Sequence, residues 1–231
     1  EIIKKFYLLG RQYPVAVLKL DRPFNDLFRQ VFDYQIRKAV NKAIQNKVTV
    51  KESNSWDFVE KKFFPLYLKY EKRKHGSPAH SLNFFKQFYL IAPDNFRIFY
   101  AEYDNKIIAS LFGIFNKSRV QILYNPSLEA FLNLRANDLI HSEFIKWACE
   151  NGKKYFDFGP VRYEGQKRYK IKWGADLLDW GYYYLSGKKK NIVNVFVDSN
   201  FIKIISFVWK NFLPLPMAKI LGPYIRKRLG Q

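Results

Sequence analysis

Two short segments carry the residue types best suited to chemistry. Tyr155-Phe-Asp-Phe-Gly159 sets a single carboxylate, Asp157, in an aromatic run with the density of a buried strand. A carboxylate taken out of water is costly unless it is partnered, so Asp157 must accept hydrogen bonds or face a cation. Ten residues after Gly159, Tyr169-Lys-Ile-Lys-Trp-Gly174 places Lys170 and Lys172 beside Tyr169 and Trp173. Fixed positive charge next to ring faces suits an anionic ligand or a developing oxyanion. Between the two segments, Gly159-Pro160 ends the strand, and the polar run 162–168 reads as a cationic loop around Gly165, able to close over a ligand.

These segments need elements to hold them. Residues 13–20 read as a strand, and Asp21-Arg-Pro23 announces a helix whose apolar positions Phe24, Leu27, Val31, Tyr34 and Ala39 recur at helical spacing. A short strand over 48–50 follows. Ser55 opens a second helix running to about His75, with a kink expected at Pro65, and 81–91 forms a third. Phe96 to Tyr103, Lys106 to Phe115 and Arg119 to Tyr124 alternate as three strands of an antiparallel meander, the first turn being Asp104-Asn105. Residues 125–136 read as a loop, Asn137 as the cap of a helix ended by Gly152, and 179–185 as the last strand.

The ordered set Asn137, Trp147-Ala148, Asp157-Phe158-Gly159 and Tyr169-Lys-Ile-Lys-Trp-Gly174 resembles the acyltransferase half of the FemABX-type branch of the GNAT superfamily. Earlier segments add to the likeness: Gln35-Ile-Arg-Lys-Ala39, Asn46-Lys-Val-Thr-Val50 and Arg73-Lys-His-Gly-Ser-Pro78. The tail, with Trp209-Lys-Asn-Phe-Leu-Pro-Leu-Pro216 and Leu221-Gly-Pro223, is similar to proteins of this branch associated with exopolysaccharide and PEP-CTERM systems. The resemblance implies an α/β GNAT-like fold, a central mixed and mostly antiparallel sheet flanked by helices. It also implies a division into 1–50, a remnant of a first subdomain with a connecting helix; 51–186, the acyltransferase domain; and 187–231, a basic amphipathic tail.

The chemistry so implied is attack of an amine on an activated acyl group, which needs proximity, loss of a proton and stabilisation of a tetrahedral oxyanion. By the resemblance Lys170 lies against the transferring acyl end and is the candidate for the last of these. His141 is a candidate base near neutrality, although a lone helical histidine is as readily a packed one. Asp157 would orient an amine or accept its proton, or else simply tie down backbone amides. The expected donor site comprises Arg135, Asn137, Tyr169 and Trp173. Arg37, Arg162, Arg168 and Lys172, with Lys38 and Lys167 beside them, are the expected acceptor or RNA face, or a solvated one. The loop 125–136 contains no glycine, unlike the phosphate-cradling turn of acyl-CoA enzymes, so acyl-CoA and aminoacyl-tRNA both stand as co-substrate. No permanently bound cofactor and no metal site is expected. His75 and His80 lack companions at ligand spacing, and Cys149 reads as a small buried apolar residue.

Composition sets the outer bounds. In 231 residues, 48% hydrophobic and 19% aromatic content excludes a disordered class. One cysteine excludes an internal disulfide and fits a cytoplasmic setting. The chain opens at Glu1 without a Met or a signal-peptide pattern, which reads as a truncated N-terminus. Forty basic against 20 acidic residues give a net charge of +20, suited to tRNA, a phosphorylated glycolipid, coenzyme A or an anionic leaflet. The basic, aromatic tail 200–231 is interrupted too often to cross a bilayer, and its pattern suits the headgroup region at the inner membrane face. The acceptor expected is an amino group of a cell-envelope or polysaccharide precursor. The alternative is a non-catalytic module that keeps the fold and binds tRNA or anionic lipid.

Overall fold

The computed structural model describes residues 7–179, 181–185 and 200–228. The first part of the expected basic tail, 187–199, lies outside them. Nine strands are present among these residues: β1 (Tyr7–Gln12), β2 (Val15–Lys19), β3 (Thr49–Ser53), β4 (Phe96–Tyr103), β5 (Lys106–Phe115), β6 (Arg119–Tyr124), β7 (Tyr155–Pro160), β8 (Asp176–Leu178) and β9 (Gly181–Leu185). Seven form one sheet in the order β3-β4-β5-β6-β7-β2-β8, and β1 pairs with β9 separately. In the large sheet only β6 and β7 run parallel; every other pairing is antiparallel.

The helices are α1 (Tyr34–Gln45), α2 (56–75), α3 (Leu82–Ile91), α4 (Ala136–Glu150), α5 (Glu164–Ile171), α6 (Asn200–Asn211) and α7 (Leu215–Arg228). A short helical run over 24–31 precedes α1 and ends in a π turn at Val31. The chain restarts at α1 because the Asp33 side chain accepts from the Gln35 N–H at 2.7 Å, a new N-cap. The continuous helix expected from Pro23 is therefore two pieces.

Period-2 alternation divides the strands between two cores. On β4, Phe99 and Ala101 join one core while Phe96 and Ile98 join the other. The first core lies under α1 and α4 and includes Ile36, Val40, Ile140, Phe144, Phe156 and Trp173. The second lies under α2 and α3, where Phe63, Tyr67, Phe85 and Phe112 stack and tilt against one another.

Helix α2 is capped by Ser55, which accepts from the Phe58 N–H at 3.3 Å. Pro65 does not break it. A π turn over Val59–Phe63 brings the Phe64 N–H to the Val59 carbonyl, and Pro65, with no N–H to give, enters where the ladder has already widened. The expected final strand at 179–185 is β9, which lies in the small sheet with β1, while β8 supplies an unforeseen edge to the large one. β2 inserts between β7 and β8, so the division expected near residue 50 runs between elements that share a sheet.

Candidate active site

The parallel strands β6 and β7 pair only through Arg119↔Tyr155, Val120↔Phe156 and Gln121↔Asp157. Both run on, over 122–124 and 158–160, without pairing to each other. β6 stays with β5 through Phe112↔Tyr124, and β7 stays with β2 through Val15↔Pro160. The two strands part because each follows its outer neighbour. An opening of this kind in a sheet exposes backbone donors and acceptors that need partners.

At the end of β7 those partners are side chains. Asp157 is 1% exposed, and its Oδ1 accepts from the Gly159 N–H at 2.7 Å. Its Oδ2 faces the Arg119 guanidinium at 3.6 Å. Burial raises the Asp157 pKa, while the Gly159 N–H, Arg119 and Lys170 pull the other way. Gly159, which makes this Asx-type closure with Asp157, sits at φ +75°, a conformation a side chain would strain.

Lys170 closes the same strand end from above. It is 9% exposed, and its Nζ donates to the carbonyls of Gly159 at 3.0 Å and Pro160 at 2.9 Å. An ammonium has three donors, so one is left beyond these two. Burial lowers the Lys170 pKa to about 8; the Asp157 charge opposes this and Arg162 reinforces it.

The expected cationic loop at 162–168 is instead the start of α5. The Gln166 side chain accepts from the Arg162 N–H at 2.9 Å, and the Tyr163 carbonyl accepts from the N–H groups of Gln166 and Lys167. Glu164 in the first turn, with Arg168 and Lys170 in the last, matches the helix dipole. That charge order was visible in the sequence and outweighs Gly165. Tyr169 and Lys170 are thus consecutive on a helix, on different faces.

The remaining expected residues divide. Arg135, not Asn137, is the N-cap of α4, in left-handed conformation at φ 61°, and its Nε pairs with Asp138 Oδ2 at 3.0 Å. Asn137 sits in the first turn with a buried Oδ1 that has no partner. Tyr169 hydroxyl, Asp138 Oδ1 and Trp173 Nε1 are likewise buried and make no closed hydrogen bond, although the Asp138 charge helps burial raise the Tyr169 pKa. Trp173 is wholly buried against Phe32 at 5.0 Å, so it is core and offers no stacking face to a ligand.

His141 is 4% exposed and ringed by Phe158, Trp173 and Tyr169 at 5.7, 5.8 and 5.9 Å. Its Nδ1 bonds to the carbonyl of Asn137 in its own helix at 2.7 Å, and burial pushes its pKa down to about 4. A ring so enclosed is a neutral packing group, which corrects the expectation of a base tuned near neutrality.

Arg37 is also committed elsewhere. Its guanidinium donates to the carbonyls of Arg29 and Phe32 and closes the end of the 24–31 run. Lys172 bonds the Gln35 side chain, and its carbonyl accepts from the Asp33 N–H at 2.8 Å, tying α5 to α1. Arg162 and Arg168 remain exposed. On the outer side of α1, Arg37, Lys38 and Lys42 border an open groove of ≈ 630 Å³. The residues that sequence reasoning missed are Arg119 and Asp138. The Arg135-x-x-Asp138 spacing at a helix start was a signal for the second; nothing local marks the first.

The sheet thus has one parallel pair, which splays open, with a helix before and after its second strand. Residues 29–171 match the family model described as an acetyltransferase (GNAT) domain, and the chain belongs to that family. No curated protein matches. Among solved structures the chain is similar to FemX, with TM-score 0.64 and 16% identity over 74% of this chain and 60% of FemX. It is similar to the C-terminal domain of a putative lysylphosphatidylglycerol synthetase from Agrobacterium fabrum, with TM-score 0.56 and 13% identity over 78% and 62% of the two chains. L-PGS from Bacillus licheniformis gives TM-score 0.55 and 15% identity over 91% of this chain and 68% of that one. At these identities the likeness is one of fold. The chain spans about 60% of the length of the FemX structure.

Proposed function

We propose that the protein is an N-acyltransferase of the FemABX-type branch, which moves an acyl or aminoacyl group onto an amino group of a cell-envelope or polysaccharide precursor in the cytoplasm. The observation that carries the reading is the Lys170 ammonium held at the splayed end of β7, with one donor beyond its two carbonyl partners. In this reading the acyl carbonyl enters the opening between 122–124 and 158–160. The amine nitrogen attacks it, and the oxygen that takes the negative charge faces Lys170. As the tetrahedral intermediate collapses, the C–N bond is kept, the bond to the leaving group breaks, and the amine's proton leaves with that group. Asp157 acts as a positioning residue, since it holds Gly159 and so the carbonyls on which Lys170 rests.

The donor reading leans to aminoacyl-tRNA. The start of α4, where a pyrophosphate would dock in an acyl-CoA enzyme, holds the buried Asp138, which already takes the Arg135 charge. Net charge +20 suits tRNA. The neighbouring folds named FemX and lysylphosphatidylglycerol synthetase support an envelope acceptor. The test is transfer of label from acetyl-CoA and from charged tRNA to amino-sugar and lipid-linked amine acceptors. Transfer by the natural chain that falls on the order of a hundredfold in Lys170→Met supports the reading. Tight tRNA binding without transfer favours a binding module instead, and transfer undiminished in Lys170→Met removes the lysine from the chemistry.

A further inference from the structure

The helices α6 and α7 present two unlike faces. The inner face is seated on the domain: Trp209 and Ala218 are buried, and Gly222 lies so close to Ala79 that an added Cβ would sit 3.1 Å from its main-chain nitrogen. Lys72 Nζ donates to the Lys210 carbonyl at 2.7 Å, and Arg226 donates to the Pro78 carbonyl at 2.7 Å while facing Glu71 at 3.8 Å. These contacts fix which side of each helix looks outward.

The outer face is apolar. On α6 and the turn that continues it, where the Phe212 N–H bonds the Val208 carbonyl, Ile204, Phe207, Val208 and Phe212 follow the spacing i, i+3, i+4, i+8 of one helical stripe. On α7, Met217, Ile220, Leu221 and Tyr224 repeat i, i+3, i+4, i+7. All eight are between 40% and 71% exposed, and they are eight of the seventeen large apolar side chains exposed among the described residues. Concentration of nearly half of them on two short helices marks a surface that meets something apolar.

The charges choose the occupant. From 199 to 231 the sequence holds six basic residues, Lys203, Lys210, Lys219, Arg226, Lys227 and Arg228, and no acidic one. Lys210 and Lys219 are exposed, so a second copy seated on this face would bring these cations against their like with no carboxylate of the segment to pair them, an arrangement that like-charge repulsion opposes. Aliphatic side chains between the cations suit acyl chains, and the cations suit anionic headgroups. At about 1.5 Å per residue the 12 residues of α6 and 14 of α7 extend roughly 18 and 21 Å, short of the roughly 30 Å hydrocarbon layer. No helix among the described residues is long and apolar enough to cross.

We infer that α6 and α7 form a monotopic membrane-docking surface, which lies in the headgroup region of an anionic leaflet with its apolar stripes against the acyl chains. The test is flotation of the full chain with phosphatidylcholine vesicles and with vesicles containing about a third phosphatidylglycerol, at about 0.1 M and about 0.5 M salt. Binding to the anionic vesicles that weakens with salt is expected. Phe207→Ser with Phe212→Ser should weaken it by about tenfold at unchanged thermal unfolding temperature, because both side chains are exposed. Lys210→Glu with Lys219→Glu, also exposed, should remove the preference for anionic lipid. Absence of binding to anionic vesicles, binding by the phenylalanine variant equal to the natural chain, or a dimer in light scattering that the same variant dissolves would each overturn the inference. Flotation is read without turnover, so its outcome is independent of the acyltransferase reading.

Discussion

Replacing Lys170 by Met probes the site without any substrate. The Lys170 pKa is held at about 8, against 10.5 for an exposed lysine. At about 1.4 kcal/mol per tenfold change in proton affinity, keeping this ammonium buried at neutral pH costs on the order of 3 kcal/mol. The sign follows from proton counting. Between pH 8 and 10.5 the unfolded chain holds a proton here that the folded chain has released, so stability rises with pH across that window and the penalty is complete below it. Met removes the penalty but leaves the Gly159 and Pro160 carbonyls without the ammonium, a loss of about 1–3 kcal/mol each where they stay dry. The two effects nearly cancel at pH 7. The variant should therefore match the natural chain there to within about 3 kcal/mol and fall behind it as pH rises to 10.5. Urea denaturation followed by tryptophan fluorescence, at steps from pH 7 to 10.5, reads the difference between the two proteins and subtracts every lysine they share. Parallel stability curves across that range would refute the buried, carbonyl-bound ammonium and with it the placement of charge at the strand opening.

Acid should act through histidine. His141 and the half-buried His80 have pKa values pushed by burial to about 4, against 6.5 in the open chain, so the unfolded chain takes up protons first as pH falls, and stability that is complete above pH 6.5 is lost toward pH 4. His141→Phe should flatten the fall in urea midpoint between pH 6.5 and 4.5 relative to the natural chain. Phe144→Ala removes a wholly buried ring that stacks on Phe99 at 4.3 Å and meets Phe156 at 5.6 Å, and should cost about 3–5 kcal/mol in urea unfolding. Arg226→Met strips the cation from Glu71, which also accepts from the Ser77 hydroxyl at 2.6 Å. Because the pair is 3.8 Å apart, about 1–3 kcal/mol is expected rather than the larger cost of a tight buried pair, with faster amide exchange confined to 215–228 as the readout.

What the sequence by itself determined was local. Alternation in 96–124 specified the meander, because a half-buried strand must show its side chains to two environments in turn. Ser55 and Ser81 marked helix starts, because a side-chain oxygen there meets N–H groups that would otherwise go unpaired. Asp157 stood out because a carboxylate in an aromatic run demands a partner, and Lys170 because fixed positive charge beside ring faces suits a developing anion. The basic, aromatic character of 200–231 was legible, but its division into two helices with an outward apolar stripe on each was not. The tertiary structure alone decided the partners. Insertion of β2 between β7 and β8 depends on contacts far apart in the chain, which no local period encodes. The fates of Arg37, His141 and Trp173 turned on the same kind of contact: each has an ordinary functional vocabulary, and each is consumed by a neighbour brought from another element. Lys170 differs because the bend that separates β7 from β6 leaves carbonyls at the strand end for an ammonium to hold. That is a property of how three strands compete for one edge rather than of any residue in them.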